Sequence, residues 1–313
     1  MKSTLRNLAL ALLLTAMVAP LADGAERDPF DYAGQIAAGD DVIKIVFIAD
    51  AGTHGPRGNH EFVGGSILMA RALHEAYPNV HAVVHTNKAW PTKLNHADAI
   101  IVLLNHAEPA ATDPEIFAAV RKGAGFMAIH YGVEVNKGVA GEHFLDWMGG
   151  YFETFWSVNP WWTPKFETFP DHPTARGVKP FSVNDEWYYH MRFAPDMKGV
   201  TPVLSDVPPL ETAKEESSSH GGNPAVHADV KDGRPQVVAW AYDRPDGGRG
   251  FGFTGMHLHD NLADDSFRKV LLNGAAWISG LEIPAEGVPS ATPSKGDLAK
   301  LLDDADAAIA AGK

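Results

Sequence analysis

"DDVIKIVFIAD" (residues 40–50) is the stretch that decides the fold of this chain. It is a run of β-branched and apolar residues that ends in an acidic residue, Asp50. A nearly continuous apolar run of this length is typical of a strand that is covered on both faces, as in a parallel sheet. A Gly-rich loop (residues 51–61) follows, and residues 62–77 then repeat apolar residues at helical spacing. The stretch therefore predicts the first strand and the first helix of an α/β domain.

The same alternation of strand and helix continues along the chain. In the helix predicted at residues 113–123, Asp113 is the N-cap and Pro114 occupies the first turn. Further strands are predicted at residues 80–85, 97–104, 125–130, 236–243 and 248–255, and a last strongly periodic helix at residues 264–280. This pattern predicts an open, doubly wound α/β sheet. Residues 149–162 are rich in aromatic residues and are predicted to form an ordered insertion.

Residues 1–25 have the order of a secretory signal peptide. Lys2 and Arg6 precede an apolar run that is too short to span a bilayer, and small residues follow it. We therefore expect export, most simply to the periplasm, and a mature chain without a transmembrane segment. One domain is predicted at residues 40–282. Residues 283–313 are predicted to be a linker and a short amphipathic helix, which either docks on the surface through Leu301 and Leu302 or binds a partner.

The composition excludes several classes of function. The chain has no cysteine, so disulfides, thiol nucleophiles and thiolate zinc sites are excluded, and a metal site must use His, Asp and Glu. The formal net charge is -13, whereas nucleic acid requires a basic surface. No nucleic-acid partner is expected, and a neutral small molecule such as a sugar fits better.

Histidines follow several of the predicted strands at the edge where ligands of open α/β sheets bind. His60 follows the first strand, His130 the fourth, and His257 and His259 the last. A His-x-His pair in an extended segment points both rings to one face, so both can reach one cation. The predicted metal ligands are these four histidines, and the ion is zinc, manganese or nickel. The alternative is that these residues hydrogen-bond a sugar directly.

Acid and base candidates occur in two further stretches. Glu134 follows the fourth strand, and "NDEWYYHMRF" (residues 184–193) contains Glu186 and His190 in an exposed-edge strand or short loop. These three residues are the predicted catalytic groups. The alternative for the second stretch is that an acid pairs with Arg192 and locks the insertion.

Aromatic and polar side chains near the same edge are the predicted substrate contacts. Trp faces stack on the apolar faces of pyranose rings, although Trp is also an ordinary core residue. The predicted substrate-binding residues are His54, Glu61, Trp156, Trp161, Tyr189 and Arg192. "SHGGNPAVH" (residues 219–227) is expected to be a flexible Gly-rich loop that could close over the cleft.

Several long motifs of this chain resemble those of the ThuA-like family, which is named for trehalose utilisation. They include "HGPRGNHE" (residues 54–61), "AIHYGVEV" (residues 128–135), "NDEWYYHMRF" and "GGRGFGFTGMHLHDN" (residues 247–261). The positions that match family motifs are His54, His60, Glu61, His130, Glu134, Glu186, His190, His257 and His259. The resemblance covers about residues 44–289.

The resemblance implies a flavodoxin-like, doubly wound, mostly parallel sheet of the class I glutamine amidotransferase-like superfamily, without amidotransferase activity. The amidotransferase nucleophile is a cysteine at the strand-to-helix turn, and the matching position here is His130. Family members are associated with disaccharide and glycoside catabolism, often beside oxidoreductases that make 3-keto sugars.

Two functions remain open at the sequence level. The first is an exported metal-assisted enzyme of lyase, hydrolase or isomerase type that acts on glycosides or 3-keto-glycosides. The second is a non-catalytic carbohydrate-binding protein that uses the vestigial amidotransferase cleft.

Overall fold

The structure is a computed structural model that describes residues 27–52 and 54–313 of the 313-residue chain. The signal peptide predicted for residues 1–25 lies outside the described residues. Among the helices of the described part, none has the length and apolarity needed to cross a membrane.

The described residues form one large sheet and two small ladders. The strands are β1 (Ile43–Ala49), β2 (Val80–Thr86), β3 (Ala99–Leu103), β4 (Gly125–Ile129), β5 (Gly150–Tyr151), β6 (Trp161–Trp162), β7 (Asp185–Glu186), β8 (Arg192–Phe193), β9 (Val200–Asp206), β10 (Gln236–Asp243) and β11 (Arg249–Phe253). The large sheet has the order β2-β1-β3-β4-β11-β10-β9. Its first five strands are parallel, and β10 runs antiparallel to β11 and β9. The sheet is therefore mostly parallel, as predicted.

Helices cover both faces of the sheet. They are α1 (Tyr32–Ala37), α2 (Phe62–Ala76), α3 (Glu108–Ala111), α4 (Pro114–Arg121), α5 (Val139–Met148), α6 (Pro224–Lys231), α7 (Asp265–Ile278) and α8 (Lys295–Ala310). Ile45 and Phe47 of β1 pack into the core beneath α2, α7 and α8, while Val46 and Ile48 pack into the core beneath α4 and α5. Successive strand residues face opposite sides, so a continuous apolar run is buried only in a doubly wound sheet. This confirms the predicted fold class.

The strand order creates a crevice at the carboxyl edge of the sheet. β1 lies between β2 and β3. The chain therefore passes from β1 to β2 on one side, and then crosses over β1 to β3 on the other side. In open α/β sheets the ligand site lies outside the carboxyl ends of the strands, at such a switch point. The loops that follow β1, β3, β4 and β11 all end at this edge.

The C-terminal segment is packed against the rest of the protein. α8 begins at Lys295 with a capping box between Ser294 and Asp297, and Leu301 and Leu302 are buried. The structure therefore shows this helix docked on the surface through Leu301 and Leu302, the first of the two predicted alternatives. Residues 283–294 were expected to be a linker, but Ile283 and Val288 are buried in the core beneath α7, so this segment is packed too.

Two loop segments differ from expectation. Residues 184–193 were expected to form an exposed-edge strand or a short loop; they form a loop with short strands, β7 and β8, at its two ends, but Trp187 and Tyr188 within it are buried. Residues 219–227 were expected to be a Gly-rich loop, but Asn223 caps α6 through hydrogen bonds to two backbone N–H groups. In both cases long-range packing decides the conformation, which local sequence pattern does not report.

Close packing of α5 on β11 depends on Gly250. A Cβ at this position would lie 2.2 Å from the carbonyl oxygen of Trp147 and 2.4 Å from the Cα of Met148. We expect Gly250→Ala to lower the free energy of unfolding by about 1–3 kcal/mol, because backbone atoms must move. Gly296→Ala in the first turn of α8, where the nearest atom is 3.6 Å away, is the control and should not destabilise. Urea unfolding measures both, and equal stability of the two variants would contradict the packing argument.

Candidate metal centre

A cavity of about 310 Å³ opens at the carboxyl edge of the sheet. Its lining comes from the loops after β1, β4 and β11, from the segment between β5 and β6, from β7 and the residues after it, and from the segment before α6. The residues are His54, Gly55, Asn59, His60, Tyr131, Asn159, Glu186, Tyr188, His220 and His257. Four of these ten residues are histidines, and two of them, His60 and His257, are among the four predicted metal ligands.

A larger cavity of about 600 Å³ lies at the opposite, amino edge of the sheet. Its two lysines already bind backbone carbonyls: Lys44 donates to Ala38 and Lys122 donates to Asn95. Ligands of open α/β sheets bind at the carboxyl edge. We therefore place the functional site in the smaller cavity.

Four side chains at the smaller cavity form a group that could hold a metal ion; three of them line the cavity, and His130 is buried behind its wall. They are His60, His130, Glu186 and His257, and their ligand atoms all lie within 4.8 Å of one another. The three histidines are buried, and the Glu186 side chain is 15% exposed. The ring centroid of His60 lies 4.0 Å from that of His257 and 5.1 Å from that of His130. Imidazoles and a carboxylate are the donors that zinc and other first-row divalent ions bind.

His130 occupies the turn that directly follows β4. Its φ is 53°, a left-handed conformation that is uncommon for residues with a side chain and is often found at functional sites. Its Nδ1 donates to the carbonyl oxygen of Thr254 at 2.9 Å, so Nε2 carries the lone pair. Nε2 lies 3.2 Å from Tyr188 Oη and 3.6 Å from Glu186 Oε2. Complete burial lowers the pKa of His130 well below its usual value, so the ring is neutral.

His60 immediately precedes α2 and has the same left-handed backbone, with φ 53°. Its Nδ1 donates to the carbonyl oxygen of His54 at 2.9 Å, which leaves Nε2 with the lone pair. That Nε2 is buried and has no hydrogen-bond partner among the described residues. Burial, followed by the effect of neighbouring His257, lowers the pKa of His60 to about 4. The ring is therefore neutral and aims an unpaired lone pair into the cluster.

Asp185 holds the loop that carries His257. Its buried carboxylate accepts hydrogen bonds from the backbone N–H groups of Met256 at 2.8 Å and His257 at 3.1 Å, and from the side-chain amide of Asn261 at 3.0 Å. Burial raises the pKa of Asp185, and these donors oppose the rise. The His257 ring lies between Glu186, 3.1 Å from Nδ1, and the Asn59 amide, 2.8 Å from Nε2.

Other predicted site residues surround this cluster. The His54 ring stacks on that of His60 with centroids 3.6 Å apart. Trp161 is 46% exposed and meets the edge of His257 at 4.6 Å. Glu134 is buried behind the wall of the cavity, and His220 lies between it and the cavity space.

His259 does not join His257. Its Nε2 points to the carbonyl oxygen of Leu298 in α8, at 3.3 Å. The prediction assumed an extended segment, but the chain enters a 3-10 turn at residues His259–Ala263. The two rings therefore diverge, and Glu186 takes the fourth place in the cluster. Placing His259 among the ligands is corrected on this ground.

His190 and Arg192 lie in the insertion and do not line the cavity. His190 Nδ1 donates to the carbonyl oxygen of Trp156 at 2.9 Å, and its Nε2 lies 3.4 Å from Asp229. Arg192 makes two 3.0 Å hydrogen bonds to Glu153, and its guanidinium lies 3.8 Å from the Trp156 ring centroid. This matches the alternative in which an acid pairs with Arg192 and locks the insertion.

Tyr189 and Glu61 also face away from the cluster. Tyr189 is buried, and its hydroxyl is 2.7 Å from that of Thr212. Glu61 accepts from the backbone N–H of Gly58 at 2.8 Å and lies on the side of α8. Of the six predicted substrate contacts, the structure therefore places two, His54 and Trp161, beside the cluster.

Sequence reasoning did not single out His220, Asn59 or Tyr188 as site residues. His220 belongs to the segment that was expected to close over the cleft, which was the available signal for it. Asn59 directly precedes His60 in the Gly-rich loop, and Tyr188 lies in the buried centre of residues 184–193.

The architecture defines the class of protein. A mostly parallel α/β sheet, with a sharp turn after β4 at the carboxyl edge, is the flavodoxin-like arrangement of the glutamine amidotransferase-like fold. The family model "ThuA: Trehalose utilisation" matches residues 55–278, and the chain belongs to this family. Its family thus connects the protein with sugar utilisation.

The solved structures that this chain matches have low sequence identity to it. A ThuA-like protein from Bacteroides uniformis is 15% identical, with 76% of this chain and 91% of that chain covered and a TM-score of 0.49. PurLQS from Thermotoga maritima is 13% identical, with 75% and 94% covered and a TM-score of 0.39. The GH42 β-galactosidase Gan42B from G. stearothermophilus is 12% identical, with 77% and 30% covered and a TM-score of 0.37. No protein of curated function matches this chain.

Proposed function

We propose that this protein is a metal-dependent enzyme that acts on glycosides oxidised to the 3-keto form. The observation that carries the proposal is the cluster of His60, His130, Glu186 and His257, in which a buried imidazole nitrogen has no partner among the described residues. Leaving a buried polar atom unpaired costs about 1–3 kcal/mol. A cation at this point would remove that cost.

The donor set fits a first-row divalent ion. His60 and His130 each donate Nδ1–H to a backbone carbonyl, which is how histidines that bind metals are oriented. Burial keeps both rings neutral, so neither must lose a proton before it binds. Zinc is the first choice for three imidazoles and one carboxylate, with manganese and nickel as alternatives.

A sugar-sized ligand fits the cavity and its surroundings. The volume of about 310 Å³ lies at the lower end of the roughly 300–1,000 Å³ range of small-molecule sites. The half-exposed Trp161 offers an aromatic face beside His257. The family description, trehalose utilisation, points to the same class of ligand.

The chemistry that this site supports starts at the carbon next to a keto group. A base removes the proton from that carbon, and the electron pair moves onto the keto oxygen. Collapse of the resulting enolate breaks the neighbouring bond to the glycosidic oxygen, which leaves with a proton. A bound cation would stabilise the negative charge on the keto oxygen. No covalent nucleophile takes part. This agrees with the turn after β4, where His130 replaces the cysteine nucleophile of the amidotransferases.

We also propose that the protein is exported to the periplasm. The support for this is the order of basic residues, apolar run and small residues within residues 1–25. Amino-terminal sequencing of the protein from the native host tests it, and a mature chain that begins at Met1 would reject it.

Metal removal is the test of the proposed enzyme. The protein, purified without a His-tag, should contain about one equivalent of divalent metal by elemental analysis. It should catalyse exchange of solvent deuterium into methyl 3-keto-glucoside at the carbon beside the keto group, and this is followed by proton NMR. We expect dipicolinate treatment to abolish exchange and one equivalent of metal to restore it. Exchange that is unaffected by complete metal removal would reject the metal-dependent function.

The exposed Trp161 favours a second candidate, a carbohydrate-binding protein without catalysis. In that case the protein should bind methyl 3-keto-glucoside or trehalose by calorimetry but catalyse no exchange, and Trp161→Ala should weaken binding. Deuterium exchange above the buffer rate would exclude this candidate.

A further inference from the structure

His220 reaches the metal-site cavity from a distant part of the chain. Its side chain lines the same space as His60 and His257, and its ring stacks on Phe152 with centroids 5.3 Å apart. The surrounding segment is fixed by hydrogen bonds, because Ser218 N–H donates to Gly222 at 3.0 Å. The position of the ring is therefore built into the fold.

Glu134 holds the His220 ring from behind. The Glu134 side chain is 3% exposed, and both of its carboxylate oxygens lie 3.1 Å from His220 Nε2. A buried carboxylate needs a charged or hydrogen-bonding partner, and here Nε2–H provides it. Nδ1 is the other ring nitrogen, and its contact is the hydroxyl of the exposed Ser219 at 2.9 Å.

We propose that His220 is the catalytic residue that transfers the proton, and that Glu134 is the residue that positions it. The proposal rests on the proposed function, because it assigns the base for the same keto-sugar chemistry. In many hydrolases a buried carboxylate orients an imidazole through one ring nitrogen, and the other nitrogen exchanges a proton. Here that other nitrogen is Nδ1, whose contact is the exposed Ser219 hydroxyl, a partner that a substrate can displace.

The other predicted acid and base groups are less suited to this role. Glu186 lies among three imidazoles and is part of the metal-binding group. His190 faces Trp156 and Asp229 outside the cavity. Glu134 itself directs both oxygens to His220. Unlike these three groups, His220 lines the cavity and also has a carboxylate partner that lies outside the metal-binding group.

The proton that His220 takes up in this reaction is the one that it later gives back. Nδ1 of neutral His220 takes the proton from the carbon beside the keto group, and the ring becomes a cation next to Glu134. When the bond to the glycosidic oxygen breaks, the same proton passes to the departing alkoxide and His220 returns to the neutral form. The products are an unsaturated keto sugar and an alcohol, with no oxidant or reductant.

The charges around His220 favour its protonated form. The hydrogen bond that His220 donates to Glu134 raises the pKa of His220 above its usual value, partial burial opposes the rise, and the charges of Glu134 and Glu186 add to it. Phe152, which packs on the ring, is uncharged. Loss of the Glu134 charge should therefore lower the pKa of His220.

His220→Gln tests the proposal on methyl 3-keto-glucoside, with solvent deuterium exchange as the readout. We expect exchange to slow by roughly 10²–10⁴-fold, the usual contribution of one general base, while metal content and melting temperature stay unchanged. His227→Gln is the matched control. Like His220, His227 is half-buried, but its ring donates to the carbonyl oxygen of Ala213 and does not line the cavity. It should exchange at the wild-type rate.

Glu134→Gln separates catalysis from a structural role. It should lower the exchange rate and move the pH at which the base becomes active to lower values, because the pKa of His220 falls. A purely structural role would change the rate without moving the pH profile, and an unmoved profile would overturn the assignment of Glu134. Wild-type exchange by His220→Gln would overturn that of His220.

The outcomes distinguish this proposal from the metal-dependent function. Exchange that survives metal removal but is lost in His220→Gln rejects the metal and supports His220. Exchange that is lost on metal removal but unchanged in His220→Gln supports the metal and rejects His220. A wild-type protein without exchange rejects both.

Discussion

Replacing His60 with alanine should remove tight metal binding from a protein that still folds. The Nε2 of His60 is the buried ligand atom without a partner among the described residues, so its loss takes away a donor that no neighbour replaces. Loss of a residue that merely orients a ligand costs about 10–100-fold in metal affinity, so loss of a ligand should cost more than roughly 100-fold. Titration of the metal-free protein with zinc, manganese and nickel by calorimetry measures the effect.

His259→Gln is the control for this prediction. His259 is buried like His60 and belongs to the same His-x-His pair as His257, but its ring points to Leu298 and not to the cluster. It should bind metal with wild-type affinity. Metal binding that persists in His60→Ala and is lost in His259→Gln would contradict the ligand set of the structure and favour the His-x-His prediction.

The fold could be predicted because the sequences of the central strands show directly that both of their faces are buried. β1, β3 and β4 are apolar on both faces, and only a sheet with helices on each side buries such strands. Residues 184–193 could not be placed in this way. Trp187 at their centre is buried by contacts with Phe166, Phe253 and Phe267, which lie far away in sequence, and alternation within a short stretch does not reveal such contacts.

The candidate site could be predicted only as far as sheet topology determines it. His60, His130 and His257 follow parallel strands, so the carboxyl-edge rule brings them together. The direction of His259 depends on a turn that begins at that residue, and spacing alone does not reveal it. His220 comes from a segment that no strand of the sheet positions, and the role proposed for it rests on its contact with Glu134, which only the folded protein shows.

Asp185→Ala should have the largest effect on stability. The side chain is completely buried, and its removal would leave the backbone N–H groups of Met256 and His257 without their acceptor and take away one of the two acceptors of the Asn261 amide. Each buried donor left without an acceptor costs about 1–3 kcal/mol, so the loss of this shared acceptor removes a large fraction of the stability of most domains. Because the same bonds hold the His257 loop, metal affinity should fall as well. Urea unfolding of the metal-free protein measures the first effect, and calorimetric metal titration measures the second.

Asp98→Ala is the matched control for the buried carboxylate. Asp98 also accepts a backbone hydrogen bond, from Lys44 at 2.7 Å, but it is exposed and far from the cluster. Water can replace this acceptor, so the variant should lose about 1 kcal/mol or less and bind metal normally. Equal losses in the two variants would mean that Asp185 acts as an ordinary turn acceptor. A large loss for Asp185→Ala with unchanged metal affinity would mean that the His257 loop keeps its position without this carboxylate.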